Sequence, residues 1–159
     1  RQNMEGLLAM FMLGAVLWLI SVAGVCVLFG KEFLTSPLIG YYILNTALML
    51  GIALSLSYLV GIFVKNSNML SGISNLLSLG MCFLCGTFVP ISIMNKSVLK
   101  IAQFLPVYWY ESINETLAQY KTLPVPVAEE IWKSIGIEAM FIAAFVFMIL
   151  AISKYKQQS

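Results

Sequence analysis

Residues 38–64, LIGYYILNTALMLGIALSLSYLVGIFV, contain no charged side chain. As a helix rising about 1.5 Å per residue, the stretch is about 40 Å long. The hydrocarbon core of a bilayer is about 30 Å thick and needs about 20 apolar residues of helix, so this stretch spans it with length to spare and is expected to tilt or protrude. Three further runs behave alike. Residues 6–29 and 69–91 are uncharged, and residues 131–153 carry only Lys133 and Glu138. The fold class predicted is all-α integral membrane. Four transmembrane helices are expected near 6–29, 38–64, 69–91 and 131–153, with a short re-entrant or interfacial helical segment between the third and fourth.

Composition agrees. Of 159 residues, 60% are hydrophobic and 10% charged, against about 25% charged in a soluble domain. In lipid each segment must satisfy its own backbone polar groups, which selects helices; the alternation of a membrane barrel is absent. A scattered net charge of +2 argues against nucleic acid as a partner. The chain starts at Arg1 without a signal peptide, and is expected to be a piece of a longer protein cut just before a span.

The chemical vocabulary is narrow. The chain has no histidine and no aspartate, which removes the commonest general base and the commonest neutral metal ligand. Cys26, Cys82 and Cys85 lie in apolar runs without neighbours that would activate a thiol, and read as packing residues. No phosphate-binding Gly-x-x-x-x-Gly-Lys-Ser/Thr loop is present. The chain is therefore expected to hold no catalytic or metal site and not to hydrolyse ATP itself. An intramembrane enzyme is disfavoured, because no nucleophile–base pair can be assembled.

Several residues inside the spans call for an explanation. Asn45 and Asn75 each lie about seven residues into a span, where an amide serves helix–helix hydrogen bonding or a pathway. Ser71, Asn75 and Ser78 form an i, i+4, i+7 stripe that should face protein or water. Gly14, Gly24 and Gly30 offer close helix contacts. Glu138 lies about 9 Å deep if the interface is near Trp132. An ionisable group at that depth is costly and marks either a functional site or a wetted boundary position; Ser134, four residues back, is its expected hydrogen-bond partner.

The connections are also patterned. Ser36 reads as a helix N-cap with Pro37 at the first helical position, and 65–68 as a tight polar turn. Pro90 is expected to end or kink the third span. Between 92 and 130, Val98, Ile101, Ala102 and Leu105 share one face of a short interfacial helix that Pro106 breaks. Tyr108, Trp109 and Tyr110 suit headgroup level. Ser112 to Glu115 reads as a capping box starting a second short helix. Glu129 and Glu130 are placed in the first turn of the last helix, favoured by its dipole. Four spans put both ends on one side. Arg1, Lys65, Lys154 and Lys156 then oppose Lys31, Lys96, Lys100, Lys121 and Lys133, and four against five does not set an orientation.

The order of motifs from the third span onward resembles the C-terminal half of an ABC-2 type transporter permease. It comprises Asn75-Leu76-Leu77-Ser78-Leu79-Gly80, then Gly86-Thr87-Phe88-Val89-Pro90, then Ala102-Gln103-Phe104-Leu105-Pro106 and Tyr108-Trp109. A last apolar span with a basic tail follows. The resemblance implies a partial ABC-2 transmembrane domain over 1–159, matching the third to sixth of six spans, in a multi-pass protein of the plasma membrane. It implies a second permease copy or half, and a cytoplasmic ABC ATPase that carries ATP-Mg, with no cofactor in this chain. The region 92–130 would be external and dip back into the bilayer, turned by Pro90, Pro106, Tyr108 and Trp109. The termini and the Lys65 turn would be cytoplasmic. Asn75 and Gly86 would lie near the dimer interface and pathway, with Asn45 and Glu138 as further pathway or helix-interface positions. The function implied is ATP-driven export of an amphipathic or hydrophobic substrate. The alternative is a non-transporting membrane scaffold or immunity-type protein that binds a partner; an ATPase in the neighbouring reading frame separates the two.

Overall fold

The computed structural model describes residues 2–64 and 66–158, with side chains described for all of these except 2–8, 32 and 156–158. Every regular element among them is helical: α1 (Gln2–Leu34), α2 (Ile39–Phe63), α3 (Ser67–Leu84), a 3-10 turn (Ile91–Ile93), α4 (Lys96–Ala102), α5 (Pro106–Gln119) and α6 (Val125–Gln158). Four of these helices are long and apolar enough to cross a membrane, at Ala9–Lys31, Ile39–Phe63, Ser67–Leu84 and Val125–Tyr155. The chain is a multi-pass membrane protein with α4 and α5 inserted between its third and fourth spans.

Helix α2 is the hub. It runs antiparallel to α1, with Trp18 Nε1 donating to Thr46 Oγ1 at 3.2 Å and Gly14 set against Leu50 and Leu54. It runs parallel to α6: Leu38 packs with Ile131 and Ile135, Tyr41 meets Trp132 edge-on, and Gly51 faces Ile142. Apolar helices gain little from leaving lipid for one another, so close packing at small residues supplies the association. Gly14 and Gly51 provide that closeness, since a Cβ at either would come within about 3 Å of a leucine or isoleucine side chain. Gly24 and Gly30 do not, having open space where a Cβ would stand. Gly30 instead breaks α1, adopting φ 58°, ψ −140°, a conformation costly to any residue with a side chain.

Several boundaries depart from the sequence reading. The third span ends at Leu84 rather than Ile91: Cys85 caps it, and Gly86 at φ 111° turns the chain out of the helix. Pro90 thus sits six residues past the end of the helix, at the head of the 3-10 turn, and does not kink it. Helix α2 starts at Ile39, because Ser36 Oγ accepts from the Leu38 N–H at 3.2 Å and builds a turn before the helix instead of its cap. Ser112 and Glu115 lie in the interior of α5, which Pro106 opens from its first position; a proline there forfeits only an N–H that has no helical acceptor anyway. Tyr108, Trp109 and Tyr110 therefore occupy the first turn and a half of a helix. On α4 the expected stripe splits: Ala102 is buried, Ile101 is exposed. Glu129 and Glu130 fall in the second turn of α6, past the reach of the dipole. The Lys65 turn lies outside the described residues; beside it, Asn66 caps α3 by accepting from the Asn68 N–H at 3.0 Å.

Candidate functional site

Helix α5 is amphipathic. It presses Val107, Ile113 and Leu117 inward, against the end of the bundle where α2 and α6 begin. Ile113 and Leu117 join Leu38, Ile131 and Ile135 in one core. Val107 joins Cys85 and Ala102 in a second, over which Tyr108 packs. Trp109 Nε1 donates to the Gln103 carbonyl at 3.0 Å, tying α5 to the end of α4. The four residues expected to shape the re-entrant segment thus divide their work. Pro90 and Pro106 each open a helical turn, Tyr108 fills the smaller core, and Trp109 anchors.

A polar cluster lies between α2, α5 and α6. Asn45 is fully buried, six residues from the start of α2 and so about 9 Å along it. Its Nδ2 donates to the Tyr110 carbonyl at 3.1 Å and to Asn114 Oδ1 at 2.9 Å. Interhelical hydrogen bonds of this kind contribute about 1 kcal/mol in a bilayer. Burial pushes the Tyr110 hydroxyl above its ordinary range; Asn114 pulls it down, and Glu111 and Glu138 push it further up. Glu138 is fully buried on α6. Neither of its carboxylate oxygens, nor Asn45 Oδ1, has a hydrogen-bond partner among the described residues. The expected partner Ser134 is engaged elsewhere, donating to the Glu130 carbonyl at 3.1 Å, the local bond a helical serine makes most readily. The result is a buried patch in which three side-chain oxygens lack a partner among the described residues, whereas buried polar atoms ordinarily have one.

Glu111, which sequence reasoning passed over, and Glu115, read there as the end of a capping box, hold the turn after α3. Thr87 Oγ1 donates to Glu111 Oε1 at 2.7 Å, and the Ile91 N–H donates to Glu115 Oε1 at 2.9 Å. Their signal was available: two acids one turn apart on a helix, with no basic residue at i, i+3 or i+4 to pair with either. The turn itself depends on Gly86, where a Cβ would lie 2.7 Å from Ile91 Cγ1. Asn75 is not drawn in. It lies exposed on α3 with Ser71 and Ser78, and no residue of α3 is buried. Of the four pathway positions, the structure brings Asn45 and Glu138 to the ends of one polar cluster, sets Gly86 in the neighbouring turn and leaves Asn75 on an outward face. Among the described residues no group of histidine, cysteine, aspartate or glutamate side chains is arranged to hold a metal.

The model of one known family, described as ABC-2 family transporter protein, matches residues 5–152. The comparisons with curated proteins and with solved structures give no match.

Proposed function

This chain belongs to the ABC-2 transporter family and is a membrane permease component of an ABC transporter; from that premise we propose that it works in ATP-driven export. A cytoplasmic ABC ATPase supplies the ATP-Mg chemistry, and a second permease copy or half completes the pathway. The segment holding α4 and α5 is external and the turn between α2 and α3 is cytoplasmic, in the plasma membrane. The substrate is amphipathic or hydrophobic.

The observation that carries this reading is the outward face of α3. Ser71 and Asn75 are exposed there, on a span that the rest of the chain does not bury. Polar side chains are costly against lipid tails and are rare where no protein or water meets them. A second permease half, with a polar pathway between the two, gives these residues a setting. The outward bend at Gly86 leads from that face to the external segment.

The test is purification of the full-length protein together with its ATPase, followed by transport into inverted vesicles. ATP-dependent uptake supports export, while a protein that never associates with an ATPase contradicts it. Glu138→Gln is expected to lower transport by about two- to fivefold, the effect of a small change in pathway energetics of about 0.5–1 kcal/mol, with assembly unchanged on gel filtration. Undiminished transport would remove Glu138 from the mechanism.

A further inference from the structure

We infer that the cleft between α2, α3 and α5 binds an amphipathic cation, with its apolar part between the two spans and its charge at Glu111. The inference rests on the permease reading and names the substrate class of that pathway.

The cleft has a volume of about 350 Å³, within the range of small-molecule sites. Its walls are Met49 and Ile52 from α2 and Leu77 and Met81 from α3. Thioethers are polarizable and unbranched, and they shape themselves to varied apolar ligands. The polar end is different in kind. There α5 contributes Tyr110 and Glu111, and the turn after α3 contributes Thr87. Thr87 Oγ1 donates to Glu111 Oε1 at 2.7 Å, which fixes the carboxylate and leaves its second oxygen free of that bond. Among the described residues no lysine or arginine lines the cleft.

The charge around this end has one sign. Tyr110 and Glu111 are neighbours on α5 and both line the cleft, with Glu111 its one ionised side chain among the described residues. Charge in a low-dielectric wall is felt strongly across a few ångströms. An anionic ligand meets the Glu111 carboxylate there, and a neutral one leaves that carboxylate without a counter-ion. A cation with an apolar body satisfies both halves of the cleft and can lie against the Tyr110 ring face.

Tetraphenylphosphonium and tetraphenylborate have the same four-phenyl shape and opposite charge. Equilibrium dialysis of each against the full-length protein in lipid nanodiscs, without ATP, separates shape from sign. Saturable binding of the phosphonium and not of the borate is expected. Glu111→Gln keeps an acceptor for Thr87 but removes the charge, and should weaken phosphonium binding by about tenfold or more, while the thermal midpoint falls only by the weakening of the one exposed Thr87 bond. Leu77→Trp fills the cleft and should abolish binding by a route independent of Glu111. Equal binding of both ions, or an unchanged affinity in both variants, overturns the proposal. Because no ATPase takes part, failure here leaves the exporter reading standing. Conversely, phosphonium binding by a protein that never recruits an ATPase sinks export and not the cleft.

Discussion

Gly86→Val is expected to produce the largest loss of stability of any single substitution in the segment between α3 and α5. Two independent costs meet at this position. The backbone sits at φ 111°, a region that residues with a side chain avoid and β-branched residues avoid most; holding one there costs about 1–3 kcal/mol. The added Cβ would also lie 2.7 Å from Ile91 Cγ1 and 3.2 Å from Ile91 Cδ1, and overpacking of this kind costs about 1–3 kcal/mol more. A sum of about 2–6 kcal/mol is a large part of the stability of an ordinary domain. The check is the thermal midpoint of the purified protein by fluorescence-detected gel filtration. Gly86→Val combined with Ile91→Ala relieves the steric cost and not the backbone cost, so it should recover the midpoint in part. Full recovery would show that the backbone angle is not a constraint, and a wild-type midpoint in the single variant would remove the turn as described.

Glu115→Ala is expected to be the second most damaging change, at about 1.5–3 kcal/mol, the range for a hydrogen bond to a charged group. Glu115 Oε1 accepts from the Ile91 N–H at 2.9 Å in a part-buried setting. The alanine leaves that N–H without its acceptor. Glu115→Gln retains an oxygen at the same reach and loses only the charge, which roughly halves such a bond, so its midpoint should fall between wild type and Glu115→Ala. If the glutamine and alanine variants melt together, the acceptor at this site does nothing for the fold. Both predictions share a physical root: the turn from Gly86 to Ile91 is irregular backbone beside a membrane, where each polar group needs an assigned partner.

What the sequence made legible follows from the range of the forces involved. The four spans are readable because lipid demands a continuous apolar run, a property of neighbouring residues. Glu138 is readable as an anomaly for the same reason, since a carboxylate in such a run stands out whatever surrounds it. The bonds of Asn45 to Tyr110 and Asn114 join residues 65 and 69 positions apart, and no local pattern encodes them. Helix α5 was half legible. Pro106 ends one helical pattern and also starts the next helix, and the local pattern at Ser112 suggests a cap where tertiary contacts at Ile113 and Leu117 carry the helix straight through. The end of the third span was missed because the apolar run continues past Leu84 while the backbone does not. Gly86, recognised from its motif, is the residue that stops it.

Four spans in this order require the α2–α3 turn and the α5–α6 connection to lie on opposite sides of the membrane. Asn68 and Lys121 are exposed at these two places. Single cysteines there, in the full-length protein with Cys26, Cys82 and Cys85 replaced, can be probed on intact cells with an impermeant maleimide. A cysteine at 121 should be labelled from outside and one at 68 only after the membrane is opened. Labelling of both from the same side would contradict the four-span export topology.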